Sequence, residues 1–245
     1  MKIVSWNVNS IRVRIEHLIR LSKECNPDVI LLQETRVDDR HFPFEYFEDL
    51  GYNIAIRGEK GRNGVAIFSK SMLEDVNINF CSGHARYIEA FTGGMFVASV
   101  YVPNGQEVDC EQYYFKLNFL EDLKSKFMNL RDEIFIAGGD FNVAPNESDT
   151  HNPSFKGIIC SSREREAIKN IREAGFCDVL DQKGFTWWDY RRRDSFSRDM
   201  GYRIDQFYLS EAAWRLFVDG DVLRFTRKWS RPSDHAPIMC EINLN

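Results

Sequence analysis

Carboxylate and amide side chains stand where apolar segments of this sequence end. Asn7 and Glu34 follow the first two such segments, and Asp140 and Asn142 follow a later one. Ligand sites gather at the ends of strands in layered sheets. Carboxylate and carbonyl oxygens suit Mg²⁺ or Mn²⁺. Together with the imidazole of His235, this set predicts a hydrated-metal site that hydrolyses a phosphate ester without an organic cofactor.

A second group of polar residues could position a phosphate. Asp205 lies in an apolar segment between Ile204 and Phe207, where a carboxylate is costly unless it is paired or binds a metal. Asp234 and His235 precede the last apolar segment. A histidine beside an aspartate can donate a hydrogen bond to phosphate, and an aspartate can orient or deprotonate water. Asp234 and His235 also fit an ordinary turn or cap, whereas Asp205 is harder to explain in that way, so the prediction depends on the whole set.

The elements that must hold these residues alternate between strands and helices. A strand, a helix over residues 14–25 and a second strand form a βαβ unit, and Asn26-Pro27 ends its helix. Short strands between residues 52 and 102 predict an antiparallel meander, and helical spacing returns at 110–128 and 162–174. The predicted strands are residues 2–8, 28–32, 52–57, 64–69, 76–80, 87–92, 95–102, 133–137, 203–209 and 237–243. This pattern favours a two-sheet sandwich with outer helices.

Composition restricts the class of protein. The chain has 245 residues, is 43% hydrophobic and contains no low-complexity linker, which predicts one domain over residues 1–245. Ser5 and Asn7 interrupt the first apolar segment, so we expect a strand and no signal peptide. No window approaches the length of a membrane span. Six scattered cysteines without a C-x-x-C pair indicate reduced thiols, and we expect a cytoplasmic protein that does not bind membranes.

Charge gives a mixed indication about nucleic acid. The net charge of −5 argues mildly against it, because phosphate binding depends on lysine and arginine. Residues 191–203 nevertheless hold five arginines against two aspartates. We therefore expect a local basic rim there that contacts phosphates.

Short motifs recur along the chain in a fixed order. They are V-S-W-N-V-N at 4–9, L-Q-E-T-R at 32–36, Y-V-P-N at 101–104, G-D-F-N at 139–142, R-I-D at 203–205 and S-D-H-A-P at 233–237. The sequence resembles the exonuclease III and abasic endonuclease family of the endonuclease/exonuclease/phosphatase superfamily over essentially its whole length. The resemblance implies an α/β fold, specifically a four-layered α/β sandwich. It departs at Asn9, where part of the family has an aspartate.

The resemblance implies a role for each matching residue. Glu34 would be the main metal ligand beside Asn7, Asp140 would activate water, and His235 would bind the scissile phosphate with Asp205 as its partner. The implied catalytic residues are Tyr101, Asp140, Asn142, Asp205 and His235. The implied surroundings of the metal are Asn7, Glu34, Asp140, Asn142, Asp234 and His235. The implied substrate-binding residues are Asn104, Trp187, Tyr202, Arg191 and Arg192.

The implied activity is a DNA-repair nuclease. It would use Mg²⁺, with Mn²⁺ as the alternative, to incise double-stranded DNA 5′ to abasic sites and to remove nucleotides or blocking groups from 3′ ends. We expect it to act as a monomer. Two alternatives stay open: a phosphatase or phosphodiesterase of the same fold acting on another phosphate ester, and an inactive RNA-binding regulator. The general base and the number of metal ions also stay open.

Overall fold

The computed structural model describes residues 1–80 and 83–244, and Cys81 lies outside them. The strands are β1 (Lys2–Asn7), β2 (Val29–Gln33), β3 (Asn53–Arg57), β4 (Val65–Ser69), β5 (Glu74–Asn77), β6 (Tyr87–Thr92), β7 (Met95–Tyr101), β8 (Phe135–Asp140), β9 (Cys177–Asp178), β10 (Trp187–Trp188), β11 (Gly201–Tyr202), β12 (Asp205–Leu209), β13 (Phe217–Val222) and β14 (Ile238–Ile242). The helices are α1 (Ile11–Cys25), α2 (Glu111–Met128), α3 (Ser162–Glu173) and α4 (Glu211–Trp214). Short 3-10 turns occupy Asp39–His41, Phe44–Tyr46, Glu48–Leu50, Glu147–Asp149 and Arg224–Lys228.

Two six-stranded mixed sheets form the centre of the protein. The first has the order β13-β14-β1-β2-β4-β3, and the second has the order β5-β6-β7-β8-β12-β9. β1 runs parallel to β2, and β7 runs parallel to β8, with α1 and α2 as the respective crossover helices. The other pairs within these sheets are antiparallel. A short β10-β11 ribbon lies outside both sheets.

Three of the four apolar clusters among the described residues hold the layers together. Alternate residues of the strands, such as Ile3, Leu31 and Phe207, fill the space between the two sheets. The opposite faces pack against helices: α1 covers the first sheet, and α2 and α3 cover the second. The order helix, sheet, sheet, helix confirms the predicted four-layered α/β sandwich. Among the described residues, no helix is long and apolar enough to cross a membrane.

Strand β8 is longer than predicted because glycines continue it. A Cβ atom on Gly139 would lie 1.9 Å from the Val100 carbonyl oxygen, and one on Gly138 would lie 2.4 Å from the Phe207 ring. Only glycine allows the neighbouring strands to approach this closely. The prediction ended the strand at residue 137, whereas it continues to Asp140 and delivers that carboxylate to the edge of the sheet.

Other differences from the predicted elements have local causes. The predicted meander is divided, since β3 and β4 belong to the first sheet and β5, β6 and β7 to the second. Strand β13 was not predicted because it is an edge strand with exposed Val218, Asp219 and Asp221. Helix α1 begins at Ile11, three residues before the predicted start. The five described cysteines are free thiols.

Candidate active site

Both sheets direct polar residues to the same edge of the sandwich. β1 and β2 end at Asn7 and just before Glu34, while β7 and β8 end at Tyr101 and Asp140. The parallel register pairs Tyr101 with Asp140, and the antiparallel β12 places Asp205 opposite Asp140. A cavity of about 200 Å³ opens there. It is lined by Glu34, Tyr101, Asn104, Asp140, Asn142, Ile159, Trp187, Ile204, Asp234 and His235.

Glu34 is held on both of its carboxylate oxygens. The Asn7 amide donates to Oε1 at 2.8 Å, and the Arg36 guanidinium forms an ion pair with Oε2. Glu34 and Arg36 both have left-handed backbones, with φ of 51° and 56°. Non-glycine residues adopt this region at a cost, and such residues cluster at functional sites. The turn after β2 therefore fixes the Glu34 carboxylate above the sheet edge.

Asp140 accepts hydrogen bonds that fix both of its oxygens. The Asn142 backbone N–H donates to Oδ1 at 2.9 Å, while the amides of Asn7 and Asn142 donate to Oδ2 at 3.0 and 3.3 Å. Asn142 also has a left-handed backbone, with φ of 51°. Its side-chain amide donates to the Val102 carbonyl at 2.9 Å, and Asn104 donates to its Oδ1 at 3.2 Å.

His235 and Asp205 form a buried pair. The two Asp205 oxygens lie 2.9 and 3.1 Å from His235 Nδ1, and His235 Nε2 lies 3.8 Å from Asp140 Oδ2. Backbone contacts secure both residues: Thr186 Oγ1 accepts from the Asp205 N–H at 3.1 Å, and Trp6 Nε1 donates to the His235 carbonyl at 3.1 Å. The ring is therefore fixed with Nε2 facing the cavity.

Burial and neighbouring charges set the protonation of this pair. Burial would lower the pKa of His235, but the carboxylates of Asp205 and Asp140 raise it to about 10. Burial raises the pKa of Asp140 to about 7, opposed by the imidazolium and reinforced by Asp205 and Glu34. The histidine is thus a cation near neutral pH, and Asp140 can exchange a proton there.

Tyr101 and Asp234 complete the wall of the cavity. Burial holds the pKa of Tyr101 well above its usual range, so its phenol stays protonated, and the Arg86 guanidinium lies 4.6 Å from the ring centre. Asp234 accepts hydrogen bonds from Asn9 Nδ2 at 2.8 Å and from Trp187 Nε1 at 2.9 Å. Burial raises the pKa of Asp234, but His235 and these donors outweigh it, and the net pKa is lowered.

The donors fit a hard divalent cation. Among the described residues, Glu34, Asp140 and His235 bring ligand atoms within 4.8 Å of one another. Two carboxylates without a thiolate match the preference of Mg²⁺ and Mn²⁺ for oxygen. Asp234 is not part of this cluster, and its oxygens accept from Asn9 and Trp187.

The two asparagines of the predicted metal set lie beside the cluster. They present N–H groups, not oxygens, to the carboxylates: Asn7 donates to Glu34 and Asp140, and Asn142 donates to Asp140. Their amide oxygens accept from the Asn9 N–H and from Asn104. In this arrangement they orient the carboxylates.

A second cavity of about 590 Å³ adjoins the first and shares Asn104, Ile159 and Trp187 with it. All five predicted substrate-binding residues line it. The Trp187 and Tyr202 rings lie 5.7 Å apart, and the His151 ring meets Tyr202 edge-on at 5.0 Å. Trp188, the next residue, is fully buried in the core between the sheets.

The predicted basic rim is smaller than its composition indicates. Arg203 is fully buried and binds Asp149 through two hydrogen bonds of 2.7 and 3.0 Å, so it does not belong to the rim. Arg191 is paired with Asp189 at 2.9 Å. Arg192 is exposed and, within the described part of the chain, has no ion-pair partner. The rim nevertheless borders the second cavity, which Arg191 and Arg192 line.

Comparison with known proteins accounts for this arrangement. The sequence profile described as the Endonuclease/Exonuclease/phosphatase family matches residues 4–235. The chain belongs to this family. It is 32% identical to the exodeoxyribonuclease of Bacillus subtilis, with both chains covered completely. Within the family it is a nuclease of the exodeoxyribonuclease III and abasic endonuclease group, and thus a phosphodiester hydrolase.

Solved structures of the family superpose closely. An AP endonuclease from Archaeoglobus fulgidus is 36% identical with a TM-score of 0.95, and both chains are covered completely. The 3′ phosphatase NExo from Neisseria, bound to a product DNA hairpin, is 34% identical with a TM-score of 0.95 over 99% of each chain. The four-layered fold predicted from the sequence is therefore that of family nucleases.

The sequence did not reveal every residue around the cavities. Ile159 and Ile204 line the first, and His151 lines the second. Arg36 stands two residues after Glu34 in the L-Q-E-T-R motif, so its spacing could have indicated an ion pair. Nothing in the sequence pattern links His151 to Tyr202, because their contact depends on how distant loops fold.

Proposed function

We propose that this chain hydrolyses phosphodiesters of double-stranded DNA with Mg²⁺, cutting 5′ to abasic sites and removing nucleotides or blocking groups from 3′ ends. The observation that carries the proposal is the cluster of Glu34, Asp140 and His235 in the first cavity. It lies beside the second cavity, called the aromatic cavity below because Trp187 and Tyr202 line it. The names of its relatives support a DNA substrate: an AP endonuclease, an exodeoxyribonuclease and a 3′ phosphatase bound to product DNA.

Glu34 and Asp140 would hold the Mg²⁺ ion, with water completing its coordination, and Mn²⁺ could take its place. Asn7 would keep the carboxylates oriented by donating to both. A bound divalent cation would neutralise charge on the phosphate and on the leaving oxygen. His235 would stand beside these ligands, with its Nε2 3.8 Å from Asp140 Oδ2.

The chain's own groups would then act on water and phosphate. Asp140 would orient the attacking water and accept its proton, with its carboxylate held by the amides of Asn7 and Asn142. His235 would donate from Nε2 to a phosphate oxygen while Asp205 holds Nδ1. Tyr101 would donate a further hydrogen bond as negative charge accumulates on the phosphoryl oxygens, and Asn142 would steady this centre by holding the Asp140 carboxylate in place.

The aromatic cavity would select the sugar. A base-less sugar turned out of the duplex would fit against Trp187 and Tyr202, and a nucleotide carrying a base would be excluded. Arg191 and Arg192 would contact phosphates at the mouth. We also propose that the protein acts as a monomer in the cytoplasm, because all these residues come from one chain and its described cysteines are free thiols.

The test uses a duplex with one abasic-site analogue, an intact duplex with a recessed 3′ end and a duplex with a 3′ phosphate, each with Mg²⁺ and with EDTA. We expect cutting at the abasic site, trimming and phosphate removal only with Mg²⁺. Trimming without abasic incision would refute the sugar pocket. Turnover of inositol or lipid phosphates without DNA cutting would refute the substrate class. Tight RNA binding without turnover would indicate an inactive regulator.

A further inference from the structure

A fully buried lysine lies under the active site. Lys116 is in the first half of α2, and no part of its side chain is exposed. Its Nζ donates to the Asn142 carbonyl at 2.6 Å and to the Asn104 carbonyl at 3.2 Å. Both residues line the active-site cavity, and their side chains hydrogen-bond to each other at 3.2 Å. One ammonium group therefore joins the two loops that leave β7 and β8.

The partner of Lys116 extends this connection to a third loop. Glu164, in the first turn of α3, is fully buried and forms an ion pair with Nζ. Its Oε1 accepts from the Ile159 N–H at 3.0 Å, and its Oε2 accepts from the Ser161 N–H at 3.0 Å. Ile159 lines both cavities. The buried pair thus connects two helices to loops that form the cavity walls.

We propose that Lys116 is a positioning residue for catalysis, which sets the places of Asn142 and Asn104 through their backbone carbonyls. This inference rests on the proposed nuclease function. Asn142 has a left-handed backbone, and its N–H and side chain both donate to Asp140. A rotation of this turn would move the donors that orient the Asp140 carboxylate. Lys116 does not line the active-site cavity and so acts only through other residues.

Stability alone is a weak reason for a buried ion pair. Replacing both partners by neutral side chains of similar volume is often neutral or stabilising, whereas removing one partner strands a buried charge. If the pair served only stability, replacing both residues together by neutral ones would therefore leave catalysis unchanged. If the pair positions the loops, the same replacement would impair catalysis, because the carbonyls of Asn104 and Asn142 would lose their shared donor.

The experiment separates these roles with variants of the full-length protein. Lys116→Met removes the donor and strands Glu164, while Lys116→Met/Glu164→Gln also removes the stranded charge. Glutamine at residue 164 is compatible with the capping box that Ser161 begins. Lys116→Arg keeps a cation and N–H donors. Lys126→Met/Glu89→Gln is the matched control, because Lys126 is on the same helix and pairs with Glu89 of β6 at 2.5 Å. Lys126 is about 15 Å further along α2.

We expect Lys116→Met/Glu164→Gln to recover most of the Tm lost by Lys116→Met, yet to keep a kcat about 10- to 100-fold below wild type. KM should change less than kcat. The Lys126→Met/Glu89→Gln control should leave kcat unchanged. Lys116→Arg and Lys116→Met should have similar Tm values, but Lys116→Arg should retain a higher kcat. The proposal is overturned if kcat follows Tm through the series, so that the double variant regains both.

A readout without turnover keeps the inference separate from the nuclease proposal. In metal-free protein, the side-chain amide resonances of Asn104 and Asn142 should shift in the Lys116 variants and stay unchanged in the Lys126→Met/Glu89→Gln control. Unchanged amide resonances in the Lys116 variants would contradict the positioning role even if the wild type cuts DNA. Absence of cutting by the wild type would instead contradict the nuclease proposal, with the resonances still deciding the positioning role.

Discussion

Asp205→Asn should change both the charge of His235 and the pH dependence of cutting. Burial lowers the pKa of His235, and Asp205 is the largest of the groups that raise it to about 10. A rise of that size corresponds to about 4–5 kcal/mol in favour of the imidazolium. Because Asp205 contributes most to this rise, the variant's His235 should titrate well below pH 10. The hydrogen bond to the phosphate would then weaken on the alkaline side.

The assay is single-turnover cutting of an abasic-site duplex in Mg²⁺ between pH 6 and 10, beside an NMR titration of the His235 ring in EDTA. The cutting rate should change little at pH 6 and should fall by about 100-fold on the alkaline side of the variant's His235 titration, as expected when one positioned donor is lost. Asp219→Asn, at an exposed carboxylate paired with Lys183, is the control. An unchanged His235 titration, or an alkaline limb that does not move, would refute the reasoning.

Three further changes test other parts of the account. The metal-free protein should lose stability as the pH rises from about 6.5 through about 10, because the contacts that raise the pKa of His235 stabilise the fold only while the ring is protonated. Urea unfolding in EDTA measures this loss, and His235→Gln should flatten the dependence of stability on pH. Trp187→Ala should slow abasic-site incision about tenfold more than 3′ trimming, since it removes one wall of the aromatic cavity. Both rates are measured on paired substrates, and an equal loss of the two activities would contradict the sugar pocket. Arg203→Met should cost about 3–5 kcal/mol in urea unfolding, because it strands the buried Asp149 and leaves Asp178 with Arg172 alone. A loss below about 1 kcal/mol would contradict this reasoning.

The sequence was most informative where polar residues end apolar strands. Asn7, Glu34 and Asp140 each follow such a strand, and the parallel pairs β1-β2 and β7-β8 bring them to one edge. The spacing of apolar residues, with a period of two in the strands and 3.6 in the helices, was enough to predict two sheets with outer helices. The glycines at the end of β8 obscured its true length, because their role depends on neighbouring strands.

Contacts between distant elements could not be predicted from local pattern. Lys116 and Glu164 come from two helices, and neither residue differs in spacing from an ordinary solvated charge. Arg203 was counted in the basic rim because residues 191–203 are rich in arginine, although it is buried against Asp149. The hydrogen bonds that Asp234 accepts from Asn9 and Trp187 likewise join residues far apart in the sequence.

The most direct test of the central claim is single-turnover cutting of the abasic-site duplex by the wild type and by Glu34→Ala, with a Tm measured for each with and without Mg²⁺. The account predicts that the wild type cuts only with Mg²⁺ and gains Tm from it. Glu34→Ala should keep its fold, lose the Tm gain and cut about 10³-fold more slowly. Cutting by Glu34→Ala in EDTA at a rate close to that of the wild type in Mg²⁺ would contradict the claim that this cluster is the metal-dependent active site.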